Sequence, residues 1–251
     1  MFTTLAVRKH ALMEYGICNL SAIALRKENR HGSEMVSQLL YNELYTVLGK
    51  AHEWVLIQTD FDQYEGWIQA KQFCGISEEE YKVLKAKQLY LTDKPILEYQ
   101  GKFLSMGTPL YKPHPDAVEM PSEFHPEMMV NYAKKMLNAP YLWGGRTAFG
   151  IDCSGLVQVC ARLAGLLLPR DASQQIQCGE LVYFLQETQP GDLAFFGNED
   201  GRITHVGIVM GYEQIIHASG QVRIDFLDQT GIFNKERGEH THLLQAIKRI
   251  K

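Results

Sequence analysis

Four prolines, Pro109, Pro113, Pro115 and Pro121, fall within thirteen residues. Each fixes φ and removes a backbone donor, so neither a helix nor a central strand runs through this stretch. It splits the chain into two parts of different pattern. Before it, short apolar runs at 23–26, 43–49, 54–59 and 64–68 are separated by Gly, Asn and Asp turns, with no helical period of useful length. Closely spaced short strands of this kind predict a small all-β barrel. After it, Met128, Met129, Tyr132, Met136 and Leu137 recur at three- and four-residue steps, and Leu156, Val157, Val159, Cys160, Leu163 and Ala164 form a second apolar helical face. A strand at 193–196 and a hairpin of 204–210 with 214–218 follow, the turn centred near Gly211. Helices first and antiparallel strands after predict an α+β unit.

Between these parts, Ser77-Glu78-Glu79-Glu80-Tyr81 reads as an N-capped helical turn, and short strands are expected around Tyr90, Ile96 and Phe103. The expected organisation is a barrel over 1–77, a connector or degenerate second barrel segment over 78–121, and the α+β unit over 122–251.

Composition is that of an ordinary globular protein: 45% hydrophobic, 22% charged, with 21 glycines and 9 prolines in 251 residues. A disordered, collagen-like or coiled-coil chain is excluded. The 25 basic and 29 acidic residues give a net charge of −4, so neither nucleic acid nor an anionic membrane is an expected partner. No stretch approaches the ~18 apolar residues of a membrane span. Residues 1–10 carry their charges after a short apolar run, the reverse of a secretory leader. A soluble, cytoplasmic protein is expected.

The five cysteines, Cys18, Cys74, Cys153, Cys160 and Cys178, are odd in number, widely spaced and without a Cys-x-x-Cys pair. That argues against a zinc ribbon or a disulfide framework and leaves at least one thiol free. Cys153 is the candidate for reactivity. It opens a predicted helix behind a loop containing Gly144 and Gly145, with Asp152 placed as the N-cap. A helix start carries partial positive charge and free N–H groups, which favour a thiolate and can hold an oxyanion. A thiol nucleophile needs an oriented base. His205 and His217 fall nearly opposite each other across the hairpin, where directly opposed Cβ atoms lie ~5 Å apart. A register slip of one residue would separate them. Cys18, Cys74, Cys160 and Cys178 read as small packing residues. His10, His31, His52, His114, His125, His240 and His242 lack such context and read as surface or structural. Cys153, His205 and His217 would also suit a metal, but no further carboxylate or thiol stands at ligand spacing, so no metal or other cofactor is expected.

Six segments of the second half resemble, in order, the NlpC-type cysteine peptidases, a compact papain-like family that cuts bacterial cell-wall peptides. They are Tyr141-Leu142-Trp143-Gly144-Gly145, Asp152-Cys153-Ser154-Gly155-Leu156-Val157, Pro169-Arg170-Asp171-Ala172-Ser173-Gln174-Gln175, Pro190-Gly191-Asp192-Leu193-Ala194-Phe195-Phe196, Thr204-His205-Val206-Gly207-Ile208-Val209 and Ile216-His217-Ala218-Ser219. The resemblance implies an α+β papain-like domain with helices packed on an antiparallel sheet. It implies Cys153 as nucleophile, His205 as general base and then acid, His217 as the residue orienting it, and Tyr141 at the border of the oxyanion site.

In the first half, Ala24-Leu25-Arg26-Lys27-Glu28, Gln38-Leu39-Leu40-Tyr41-Asn42-Glu43 and Asp62-Gln63-Tyr64-Glu65-Gly66-Trp67-Ile68 resemble a bacterial SH3-like domain. The pairing is similar to the γ-D-glutamyl-diamino acid endopeptidases that recycle murein peptides, in which the SH3-like barrel walls off one end of the cleft. It implies a murein tripeptide or tetrapeptide substrate with a free N-terminal L-alanine, cut to release L-Ala-γ-D-Glu. By the same resemblance Glu28 and Tyr64 help hold that end, Asp171 binds the free amine, and Asp152, Ser154 and Ala172 line the pocket. Some relatives have serine where this chain has Ala172, so only backbone contact carries over there. Two other readings compete: an endopeptidase or amidase acting on intact peptidoglycan with the barrel as anchor, and a non-catalytic wall-peptide binding protein.

Overall fold

The computed structural model describes residues 14–198 and 200–251. The expectations for the first ten residues and for His10 lie outside the described residues.

The N-terminal unit is built from β1 (Glu14–Ile17), β2 (Ala22–Arg26), β3 (Met35–Leu40), β4 (Leu44–Ala51), β5 (Trp54–Thr59), β6 (Glu65–Gln69) and β7 (Gly75–Ile76). They form one antiparallel sheet in the order β3-β2-β6-β5-β4-β1-β7. The period-two alternation is clean in β2, where Ile23 and Leu25 point inward and their neighbours are half-buried. These two residues join Cys18, Leu39, Tyr45, Val55, Ile57 and Ile68 in a small core. Sequence pattern did not mark β1, β3 and β7 as strands.

Helix α1 (Glu78–Lys85) starts as expected, with the Ser77 side chain accepting from the Glu80 N–H. Then β8 (Tyr90–Thr92), β9 (Ile96–Tyr99), β10 (Lys102–Ser105), β11 (Pro109–Leu110) and β12 (Ala117–Glu119) form a β9–β10 hairpin and a three-stranded sheet centred on β8. The prolines shape it: β11, which contains Pro109, lies at the sheet edge, where a missing donor is tolerated.

The C-terminal unit holds α2 (Pro126–Lys135), β13 (Arg146–Thr147), β14 (Gly150–Ile151), α3 (Cys153–Leu163), α4 (Ala172–Gln175), β15 (Glu180–Val182), β16 (Leu193–Gly197), β17 (Ile203–Gly211), β18 (Gln214–Ser219), β19 (Gln221–Leu227), β20 (Gly231–Asn234) and β21 (Glu239–Arg249). The large sheet runs β15-β21-β16-β17-β18-β19-β20, and β20 also pairs with β21, so the strands curl toward closure. Helices α2 and α3 pack on β17 and β18 over a core containing Met129, Leu156, Cys160, Ile208 and Ile216. The sequence reading ended at β18; β19, β20 and β21 are additions.

The two units share a buried charge network. Glu43 accepts from Arg146 at 2.9 and 3.0 Å and from Arg162 at 2.9 Å, and all three side chains are buried. Both guanidiniums also lie over the Phe61 ring, at 4.6 and 4.5 Å from its centroid. Burial alone would push the Glu43 carboxyl up, but the two arginines overcome it and the net shift is downward. Asn42 donates to the Pro109 carbonyl at 3.0 Å, tying the middle segment to the same joint.

Candidate active site

Asp152 is the hub of the nucleophile loop. It holds an extended backbone before α3, and its Oδ1 accepts from the Gly155 N–H at 2.7 Å. Its Oδ2 accepts from the Gly144 N–H at 2.8 Å. Gly144 has φ of +76°, and a Cβ there would strike the Met35 backbone, so the position needs glycine. Arg170, fully buried, grips both Asp152 oxygens at 3.0 and 2.6 Å and reaches Ser154 Oγ at 2.9 Å. This two-pronged pairing sets the direction of the helix start.

Cys153 is the first residue of α3 and lies buried beside the cleft. The expected thiolate differs from what surrounds it. Burial, with the Asp152 charge added, pushes the thiol up to about 11. The Val206 and Ser154 N–H groups and Arg170 pull the other way without winning.

His205 and His217 share one face of the hairpin, and His205 Nε2 lies 2.8 Å from His217 Nδ1. Their register is a correction. His217 pairs with Gly207, which puts His205 two residues along, a diagonal neighbour and not an opposed one. A shift of two keeps both rings on the same face, because the side-chain period is two. Burial first, then His217 and His242, holds the His205 imidazole well below its usual range. Two neighbours were missed in the sequence. Asp225 Oδ2 lies 3.0 Å from His217 Nε2, and His242 stacks on His205 with centroids 4.2 Å apart. His242 is therefore no isolated surface histidine. The polar alternation of Arg223 and Asp225 between Val222, Ile224 and Phe226 was the available signal for the first. Among the described residues, no set of three or more His, Cys, Asp or Glu side chains is arranged to hold a metal ion.

A cavity of about 1030 Å³ runs along the nucleophile and is lined by both units. Cys153, Tyr141, Asp152, Ser154, Asp171 and Ala172 border it from the C-terminal unit. Burial, then the Cys153 and Asp152 charges, pushes the Tyr141 phenol up to about 12. Tyr64 borders the cavity from the barrel and donates its hydroxyl to both Asp171 oxygens, each at 3.3 Å. Burial raises the Asp171 carboxyl above its ordinary range, against the pull of Arg170 and of the Tyr64 hydroxyl. Glu28 is not among the residues lining the cavity, although its neighbour Lys27 is. The turn between β2 and β3, closed by Lys27 N–H to the Glu34 carbonyl, carries Glu28 outward, where it pairs with Arg30 at 2.6 Å. Glu34, from the returning arm, borders the cavity and accepts from Trp143 Nε1 at 2.8 Å.

Residues 138–238 match the NlpC/P60 family, and residues 25–73 match the bacterial dipeptidyl-peptidase SH3 domain. The chain carries an NlpC/P60 domain behind a bacterial dipeptidyl-peptidase SH3 domain. The γ-D-glutamyl-L-lysine dipeptidyl-peptidase of Bacillus subtilis (strain 168) is 28% identical over 212 residues, covering 72% of this chain and 71% of that one. Dipeptidyl-peptidase 6 of Lysinibacillus sphaericus is 26% identical over 242 residues, covering 78% and 86%. The crystal structure of an NlpC/P60 family protein from Bacillus cereus ATCC 10987 superposes with a TM-score of 0.77 at 20% identity, over 94% of this chain and 99% of that one. It shows the fold: an α+β NlpC/P60 domain preceded by an SH3-like barrel. The NlpC/P60 match takes in Cys153, His205, His217 and Asp225, and the SH3 match takes in Tyr64.

Proposed function

We propose that the chain is a cysteine peptidase cutting the γ-D-glutamyl bond to the diamino acid in murein tripeptides or tetrapeptides with a free N-terminal L-alanine, releasing L-Ala-γ-D-Glu. The observation that carries this reading is the Tyr64–Asp171 contact at the wall of the Cys153 cavity. It leaves a carboxylate facing a closed end, where an ammonium is accommodated and an acylated amine is not. The names of the two relatives support the bond type. The proposed domain scheme, 1–77, 78–121 and 122–251, follows the same division of labour.

In the proposed reaction, His205 takes the Cys153 proton as the sulfur attacks the γ-glutamyl carbonyl. Backbone N–H groups at the start of α3 hold the oxyanion, with Tyr141 at its border. His205 then gives the proton to the departing amine of the diamino acid. A water molecule, deprotonated by His205, opens the thioester and frees the dipeptide.

Anchoring to intact wall is the weaker reading. The buried joint of Glu43, Arg146 and Arg162 supports a barrel that is a fixed wall of the cleft and not a tether. The test is mass spectrometry of the products from L-Ala-γ-D-Glu-L-Lys, from its meso-diaminopimelate counterpart and from purified sacculi. Release of L-Ala-γ-D-Glu from the soluble peptides, absent in Cys153→Ala, is expected. Release from sacculi alone would favour the anchored enzyme, and no release from any would leave the non-catalytic binder.

A further inference from the structure

The histidine pair does not end at His217. Asp225 Oδ2 lies 3.0 Å from His217 Nε2, and both side chains are buried. Asp225 is ionised: burial pushes its carboxyl up, but the His217 hydrogen bond and Arg223 outweigh that. An ionised carboxylate only accepts, so His217 must carry its proton on Nε2. A neutral imidazole protonated there has a lone pair on Nδ1, which faces His205 Nε2 at 2.8 Å. His205 therefore donates from Nε2, and its own lone pair stands on Nδ1, the nitrogen not engaged with His217.

We infer that Asp225 is a positioning residue: through His217 it fixes the tautomer of His205, so that the ring nitrogen not engaged with His217 carries a lone pair and can take a proton. The inference rests on the proposed role of His205 as base. The groups acting on Asp225 are His217 from β18, Arg223 on its own strand and His242 from β21, with Glu236 reaching Arg223 at 3.3 Å. Arg223 Nη2 donates to Asp225 Oδ1 at 3.0 Å, and its Nε lies 2.8 Å from Oδ2, the oxygen that faces His217. Arginine has no acceptor. In Asp225→Asn only one of the two positions is still an acceptor, so the His217 proton is no longer held on Nε2 by either orientation of the side chain. Where the amide NH2 turns to His217, that ring accepts on Nε2 and donates from Nδ1, and His205 accepts on Nε2 and carries its proton on Nδ1.

The experiment reads the tautomers and the kinetics separately. Nitrogen-15 spectra of the histidine rings in Cys153→Ala, where no thiolate charges the imidazole, are expected to show the His205 proton on Nε2. Adding Asp225→Asn is expected to shift it, at least in part, to Nδ1. In the otherwise intact enzyme, Asp225→Asn is expected to lower kcat by roughly 100- to 10,000-fold with KM within about twofold, the size associated with a wrong tautomer. Asp225→Glu, which keeps an acceptor-only group, is expected to recover part of kcat. A proton on His205 Nδ1 in Cys153→Ala would overturn the inference. So would spectra unchanged by Asp225→Asn, whether kcat is kept or lost. The spectra need no substrate, so they decide the tautomer even if the peptide reading fails.

Discussion

Tyr64 Oη lies 3.3 Å from both carboxylate oxygens of Asp171, across 107 positions of sequence. One residue belongs to the barrel and the other stands just before α4, so this wall of the cavity is built by both units. Tyr64→Phe removes the hydroxyl and keeps the ring. A hydrogen bond to a carboxylate is worth roughly 1.5 kcal/mol or more, so kcat/KM for a free-amine tripeptide is expected to fall about tenfold. The loss should appear in KM, through a less well-held Asp171, and the melting temperature should fall by a few degrees. Steady-state kinetics with both parameters resolved checks this.

The joint itself is open to measurement. Glu43→Gln leaves two buried guanidiniums without the carboxylate they share, with only Asp62 still acting on Arg162, and breaking a buried pair in this way costs about 3–5 kcal/mol. Urea unfolding is expected to show a lower midpoint at neutral pH. The wild-type carboxyl sits below its usual range in the folded state, so its contribution is present above about pH 4.5 and fades as pH falls through the lowered value. The stability gap between wild type and Glu43→Gln should narrow in acid.

Asp152 acts on the nucleophile in two opposed ways. It orients α3 and pairs with Arg170, yet its charge helps push the Cys153 thiol up to about 11. Asp152→Asn is expected to destabilise the fold, since Arg170 loses its counter-charge, while lowering the thiol. Iodoacetamide labelling of Cys153 in the wild type should keep accelerating above pH 9. In Asp152→Asn the rate should reach its plateau at lower pH. A wild-type plateau already at pH 7 would show that the helix start outweighs burial.

What was legible in the sequence was mostly local. The Ser77 cap depends on a residue three positions on, and the Cys153 loop on glycines and an aspartate within a few residues. The hairpin histidines were found through a turn glycine, but their register was missed by two because the turn is made by Tyr212 and Glu213, both at positive φ, and is not centred on Gly211. β21 was invisible for another reason: its start, Glu239-His240-Thr241-His242, is polar and is held by pairing with β20, not by an apolar face. Asp225 and His242 came to the site on those unread strands. Glu28 was assigned to the cleft by resemblance alone; in the 27–34 connection between β2 and β3 it is Glu34 that borders the cavity, while Glu28 pairs with Arg30.

The most direct measurement compares kcat/KM for L-Ala-γ-D-Glu-L-Lys and for the same peptide N-acetylated. An acetyl group removes the charge that Asp171 would meet and adds bulk against Tyr64. Loss of a buried charge-assisted contact is expected to slow the acetylated peptide by at least about 100-fold. Equal cleavage of both peptides would contradict the closed, ammonium-selecting end of the cleft.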